Sequence, residues 1–423
     1  MAEAIKINRQ RLMTRLDELS KIGKNAAQGI DRQLGSIPDE EARAWLTRCW
    51  QHELGLTVKT DGIANLWGQQ AEKSGNRPIV LGSHHDTVPN GGKYDGALGV
   101  LLGTEVLQTL QENQVELKHP LWLISFTGEE PNDFSVSTLG SKVLAGRLTA
   151  ADVKKMKHRK TGEALPDALQ RLGGDIQQVD GARLAMNELA AFLECHIEQG
   201  RVLYDEQHVV AAVSCITGIY REVITISGEA NHAGTTKLKD RRDALVAAAE
   251  VVLAAEAIMK VPEFAGVAVT IGRLALTPNA SNIIPGKVVM TFDLRTADAK
   301  IRQQALAIWQ EKLREISSRR SVNIEREVNL DQPERRMDDM VIEAFEEAAT
   351  GNGQEPEVLV SMAGHDAANM ARVTKAGMLF VQTVNGYSHC PQEEAAADAI
   401  EIAANTMLAA VRILDRRLDA YDR

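Results

Sequence analysis

Residues 78–96, PIVLGSHHDTVPNGGKYDG, carry the reading that decides the fold. The first five form a short apolar run of the kind a strand buried on both faces makes. Ser83-His84-His85-Asp86 follows at once, then the glycine-rich loop 89–96, which places Asp95 at the start of a helical stretch over 96–111. The pattern recurs three times. LWLISF (121–126) leads into Thr127-Gly128-Glu129-Glu130, and LAAFLEC (189–195) into His196-Ile197-Glu198-Gln199-Gly200. MLFVQTV (378–384) leads, after Asn385-Gly386-Tyr387, into Ser388-His389. Helical stretches near 138–146 and 392–416 alternate with these runs, which predicts an α/β sheet with helices on both faces.

Upstream, 7–22 and 39–54 have helical periodicity, and 56–58 and 63–67 read as two short strands around the turn Thr60-Asp61-Gly62. Residues 150–188 read as short helices joined by loops. The region 221–329 has another texture: strand 221–227, helix 243–260, strands 266–276 and 286–294, helix 301–317 and strand 321–329. That β-α-β-β-α-β order is ferredoxin-like. The predicted organisation is therefore an α/β catalytic domain in two parts, 1–213 and 331–423, interrupted by an α+β domain over 214–330.

Composition bounds the function. The 423 residues are 44% hydrophobic and 25% charged, an ordinary soluble balance that rules out a disordered chain. The net charge of −10, from 48 basic and 58 acidic residues, argues against general nucleic-acid binding. The four cysteines, Cys49, Cys195, Cys215 and Cys390, form no C-x-x-C pair and suggest free thiols in a reducing compartment. The N-terminal stretch MAEAIKINRQRLMTRLDELSKIG reads as a polar amphipathic helix with no apolar core, and no membrane span is visible. These readings place the protein in the cytoplasm.

Ligands in open α/β sheets bind beyond the carboxyl ends of strands, so the four acidic or imidazole segments should converge at one sheet edge. Imidazole and carboxylate groups without a fitting thiolate suit Zn²⁺, Mn²⁺, Co²⁺ or Ni²⁺ better than Ca²⁺. Asp95 can serve as a helix N-cap or bridge two ions. One of Glu129 and Glu130 can ligate while the other serves as general base. His85 should point away from His84 by strand alternation and so does not ligate.

The motifs G-S-H-x-D-T-V, N-G-G-x-x-D-G, G-E-E, H-I-E-Q-G, N-H-A-G-T-T, N-x-x-P-G, D-L-R, G-H-D-A and S-H, in unbroken order from about residue 60 to 400, resemble the hydantoinase/carbamoylase group of amidases. That group includes N-carbamoyl-L-amino-acid hydrolase, allantoate amidohydrolase and β-alanine synthase, and belongs to the wider aminoacylase and di-zinc peptidase superfamily. The resemblance implies a di-metal exopeptidase-like catalytic domain with an inserted lid that also makes a homodimer. It implies two divalent ions per subunit, held by His84, Asp95 and His196 and by Glu130 and His389, with Asp95 bridging. Glu129 is then the general base, and Asp86 orients His84. Gln199, Asn282, Arg295 and the Gly364 backbone would clamp an anionic ureido substrate, and His232 would reach the neighbouring subunit's site to hold the oxyanion.

The implied reaction is hydrolysis of the ureido C–N bond of an N-carbamoyl-L-amino acid. Allantoate hydrolysis and an aminoacylase or dipeptidase activity are the enzyme alternatives, and a non-catalytic binding protein with this fold is the alternative of another class. Lys237 stands where the family has proline after the double threonine. Residues 131–134, Pro-Asn-Asp-Phe, replace the family's glycine-and-arginine segment.

Overall fold

The computed structural model describes residues 5–70 and 76–421. The first four residues of the expected N-terminal helix lie outside this range; within it the helix runs Arg9–Lys21. By contacts the chain forms two compact units, Met1–Ser214 with Arg336–Arg423, and Cys215–Arg335.

In the first unit the strands lie side by side in the order Thr57–Thr60, Leu66–Gln69, Leu121–Phe126, Ile79–His84, Ala191–Ile197, Ala376–Val381 and Val210–Ile216. The central four are mutually parallel: His84 stands opposite Phe126, and Phe380 opposite His196. Their carboxyl ends therefore share one edge. Ile79, Leu81, Leu123, Leu193 and Leu379 pack into one large core with helices Arg9–Lys21, Ala97–Glu112, Asp339–Gly351 and Ala397–Tyr421. A smaller core gathers Leu139, Val143, Val153, Leu165 and Leu169 from the short helices of 139–182.

Three local readings shift. The second short strand starts at Leu66, because the Asp61 carboxylate accepts from the backbone N–H of Ile63 and Asn65 and from Trp67 Nε1, which lengthens the turn. The last helix starts at Ala397, because the preceding residues form a loop held under Asp95. Strand Val210–Ile216 was not expected: it is an apolar run broken only by Ser214, and only Thr217 separates it from the next strand.

The second unit contains strands Gly218–Ser227, Ala268–Thr277, Lys287–Thr296 and Asn323–Gln332 with helices Ala244–Met259 and Ala299–Arg320. The sheet order, fourth, first, third and second, with every neighbour antiparallel, is the ferredoxin-like arrangement. Its core holds Ile224, Val251, Val288, Met290, Phe292 and Trp309. The boundary expected at residue 330 falls inside the last strand, which stays paired through Gln332 opposite Ile219, so the unit runs on to Arg335. Among the described residues no helix is long and apolar enough to cross a membrane.

Candidate active site

The parallel strands deliver their polar ends to one place. His84, the last residue of its strand, and His196, near the end of the neighbouring one, are both buried and aim at the same carboxylate. Asp95 Oδ1 lies 3.5 Å from His84 Nε2 and 3.3 Å from His196 Nε2. Its other oxygen lies 3.5 Å from His389 Nε2, which is itself 3.4 Å from Glu130 Oε1. The groups His84–Asp95–His196 and Asp95–Glu130–His389 can each hold a metal ion, with Asp95 common to both. Glu129 Oε2 stands 3.7 Å from His84 Nε2.

Second contacts fix how the imidazoles point. His84 Nδ1 lies 3.0 Å from the Asp86 carbonyl, and His196 Nδ1 2.9 Å from the Ile197 carbonyl. A carbonyl only accepts, so each Nδ1 carries the proton and a neutral ring turns its Nε2 lone pair to the centre. His84 Nε2 and Glu130 Oε1 are buried and have no hydrogen-bond partner among the described residues. The Gln199 amide nitrogen sits 2.6 Å from Asp95 Oδ2 and 3.3 Å from His389 Nε2, where a cation shared by those two would lie. The nitrogen-and-oxygen donor set and its orphaned atoms fit divalent transition ions.

Charge crowding agrees. Burial pushes Glu129 and Glu130 well above the usual carboxylate range, and each is raised further by neighbouring carboxylates. For Asp95, burial is outweighed by His196 and His84, which hold it well below that range. A cation would relieve the crowding around both glutamates.

Asp86 does more than the sequence suggests. Its carboxylate lies 3.5 Å from His84 Nδ1, farther than its own carbonyl, and accepts the backbone N–H of Glu129 (3.2 Å) and Glu130 (3.1 Å). It therefore sets the loop that carries both glutamates. Gly96, at φ +66°, lies against the His84 ring, and a Cβ there would come within 2.3 Å of it. His85 turns away, to Ser125 Oγ (2.6 Å) and Asp39 Oδ1 (2.8 Å). Asn132 Nδ2 donates to the Glu130 carbonyl (3.1 Å), so the unusual 131–134 segment braces the glutamate loop.

Several buried groups here escaped sequence reasoning. Glu194 accepts from Ser83 Oγ (2.7 Å) and Ala367 N–H (3.0 Å), tying the two histidine-bearing strands to the 364–367 loop. The His365 ring packs edge-on against His196 at 4.4 Å, and the exposed backbone of Gly364 stands beside it in sequence. Asp366 accepts from Ser141 Oγ and is pushed up to about 8, chiefly by burial and by Glu194. Glu393 is pushed up to about 7 by burial and by Asp95. The G-H-D-A motif pointed to this loop; nothing in the sequence pointed to Glu194 or Glu393.

The other three residues belong to the second unit. His232 is exposed, and its Nδ1 accepts from Gly234 and Thr235 N–H at 3.1 and 3.2 Å. It pairs with Ile283, directly after Asn282. Arg295 pairs through Nε with Asp293 at 2.9 Å, at the opposite end of strand Lys287–Thr296.

This chemistry at the strand ends of this fold suits a hydrolase, and similarity to known proteins makes the bond it cleaves a carbon–nitrogen one. The chain belongs to peptidase family M20/M25/M40, whose model matches residues 80–413, and within it to the hydantoinase/carbamoylase amidases. It is 34% identical to an N-carbamoyl-L-amino acid amidohydrolase of Geobacillus stearothermophilus over 95% of this chain and 97% of that one. It is 33% identical to an allantoate deiminase of Arabidopsis thaliana, over 95% and 82%. A solved hydantoinase/carbamoylase family amidase from Burkholderia multivorans superposes with a TM-score of 0.88 at 33% identity, covering 97% and 98% of the two chains.

Proposed function

We propose that the protein hydrolyses the ureido C–N bond of an N-carbamoyl-L-amino acid, giving the amino acid, ammonia and carbon dioxide. The observation that carries this is the pair of ligand clusters sharing Asp95, with the Glu129 carboxylate beside them and engaged in no hydrogen bond among those described. His84, Asp95 and His196, and Asp95, Glu130 and His389, would hold two divalent ions per subunit, Zn²⁺, Mn²⁺, Co²⁺ or Ni²⁺, which would supply Lewis acidity when bound. Glu129 takes the proton of the attacking water and passes it to the departing nitrogen. Gln199, Asn282, Arg295 and the Gly364 backbone bind the carboxylate and ureido groups, with Arg295 a natural fork for a carboxylate.

The spacing within the second unit supports a homodimer. Eight residues of extended strand separate Lys287 from Arg295, about 26 Å at the usual rise. His232 and Asn282 lie beyond the Lys287 end. One small substrate does not span that distance, so His232 and Asn282 serve one site and Arg295 another. Helix Ala244–Met259 exposes Leu245, Val246, Val252, Leu253 and Met259, and strand Ala268–Thr277 is a sheet edge exposing Leu274. Both features suit a second copy. Cys49 and Cys195, both buried and outside any disulfide, fit a cytoplasmic protein.

Allantoate is the second reading, favoured by the allantoate deiminase relative. An ordinary amide substrate uses the same centre. A purely binding role is disfavoured by the complete set of ligands and base. Glu129→Gln tests the assignment: the variant should take up metal as wild type does and lose 10²–10⁴-fold or more in turnover. Wild-type turnover by that variant removes Glu129 from the mechanism.

A further inference from the structure

Glu393 is a buried carboxylate outside the ligand set, 4% exposed. It sits in the loop after strand Ala376–Val381, closed by Val384 N–H donating to the Glu394 carbonyl at 2.8 Å. Its Oε1 accepts two backbone N–H groups at once, from Tyr94 (2.7 Å) and Asp95 (3.0 Å). Its Oε2 lies 3.3 Å from Ser388 Oγ, and that same hydroxyl is 2.8 Å from Asp95 Oδ2. Gly92 lies against the carboxyl group, where a Cβ would come within 2.1 Å of Cδ. The loops of Asp95 and His389 thus meet on one side chain.

These two loops differ in exposure. Asp95 is buried and shared by both ligand clusters, whereas the His389 side chain is 47% exposed and its backbone sits at φ +58°. A ligand on such a loop must be ordered when an ion binds, and pre-ordering it strengthens binding.

We infer that Glu393 is a positioning residue: it ties the Asp95 loop to the His389 loop and so sets how tightly the Asp95–Glu130–His389 cluster takes its ion. It does this without touching ion or substrate. The inference rests on the reading of these clusters as a metal centre. Position, not charge, is the operative property. Glutamine keeps an oxygen for the two N–H groups and turns its amide to Ser388. Aspartate keeps the charge but loses the reach, and alanine leaves two buried donors unpaired.

The test is calorimetric titration of metal-stripped wild type, Glu393→Ala, Glu393→Asp and Glu393→Gln with Mn²⁺, with bound ions counted by elemental analysis and folding checked by thermal melts. Wild type should take two ions per subunit. In Glu393→Ala and Glu393→Asp the first should bind as in wild type and the second about 10–100-fold more weakly, while Glu393→Gln stays close to wild type. Should the alanine variant fail to fold, the aspartate and glutamine pair carries the comparison. Wild-type uptake of both ions by the folded alanine or aspartate variant overturns the inference. So does a glutamine variant as weak as aspartate. A wild type that binds no divalent ion overturns the metal-centre reading, and the inference with it.

Discussion

At position 96 a single missing Cβ decides whether His84 can stand where it does. The backbone there has positive φ, and any side chain would meet the imidazole. Gly96→Ala should therefore cost about 1–3 kcal/mol in backbone strain and weaken metal uptake, read by urea melts and ion titration. Unchanged uptake would show that the His84 ring has room to move. Among the proposed ligands, His84, Glu130 and His196 were legible because each closely follows an apolar run that predicts a strand end, whereas Asp95 was read from the glycine-rich loop after the first run. Asp86 was legible as a neighbour of His84, but its hold on the Glu129 and Glu130 N–H groups depends on two strands meeting, which spacing does not encode. Glu393 was invisible for the same reason: it lies within an acidic pair after proline, with no periodic signal, and its partners are about 300 residues away in sequence.

Between elements, one buried ionic network braces the site from below. Asp39, on helix Ile37–Arg48, accepts from Arg43 Nε (2.9 Å), contacts His85 Nε2 (2.8 Å) and accepts from Gly35 N–H (2.8 Å). Arg43 goes on to Thr127 Oγ1 (3.0 Å), just ahead of the glutamate loop. Burial alone would raise the Asp39 carboxyl, but Arg43 and His85 outweigh it and hold it well below the usual range. A depressed carboxylate stabilises the fold fully above its unfolded pKa of about 3.9, and that contribution is lost as pH falls through the lower folded value. Asp39→Ala should cost about 3–5 kcal/mol at neutral pH and flatten the acid limb of a stability-versus-pH curve. A variant with the wild-type acid limb would show that Asp39 does not carry it. Sequence periodicity found the helix over 39–54 but could not show that its regular part ends at Arg48 and widens into a π-turn over Cys49–Glu53.

Across the whole molecule, the inserted unit was legible because a β-α-β-β-α-β order interrupts strands of another kind, and the structure shows that order folded as its own sheet and core. What sequence order could not give is which residues of the unit serve one site together. The distance along strand Lys287–Thr296 divides Arg295 from His232 and Asn282, and the proposal that subunits complete each other's sites rests on it. Glu129→Gln and His232→Ala, each inactive alone, should regain activity when unfolded and refolded together, because a mixed dimer contains one site with both residues intact. No recovery in a mixture shown to contain mixed dimers would put His232 in its own subunit's site. The central claim, a metal-dependent hydrolase of ureido carbon–nitrogen bonds, is tested most directly by substrate choice. Protein loaded with Mn²⁺, Co²⁺, Ni²⁺ or Zn²⁺ is incubated with N-carbamoyl-L-amino acids, allantoate, ureidoglycolate, N-acyl amino acids and dipeptides, and released ammonia and amino acid are measured. Metal-dependent ammonia release from N-carbamoyl-L-amino acids is the predicted result; cleavage confined to the N-acyl amino acids and dipeptides would contradict it.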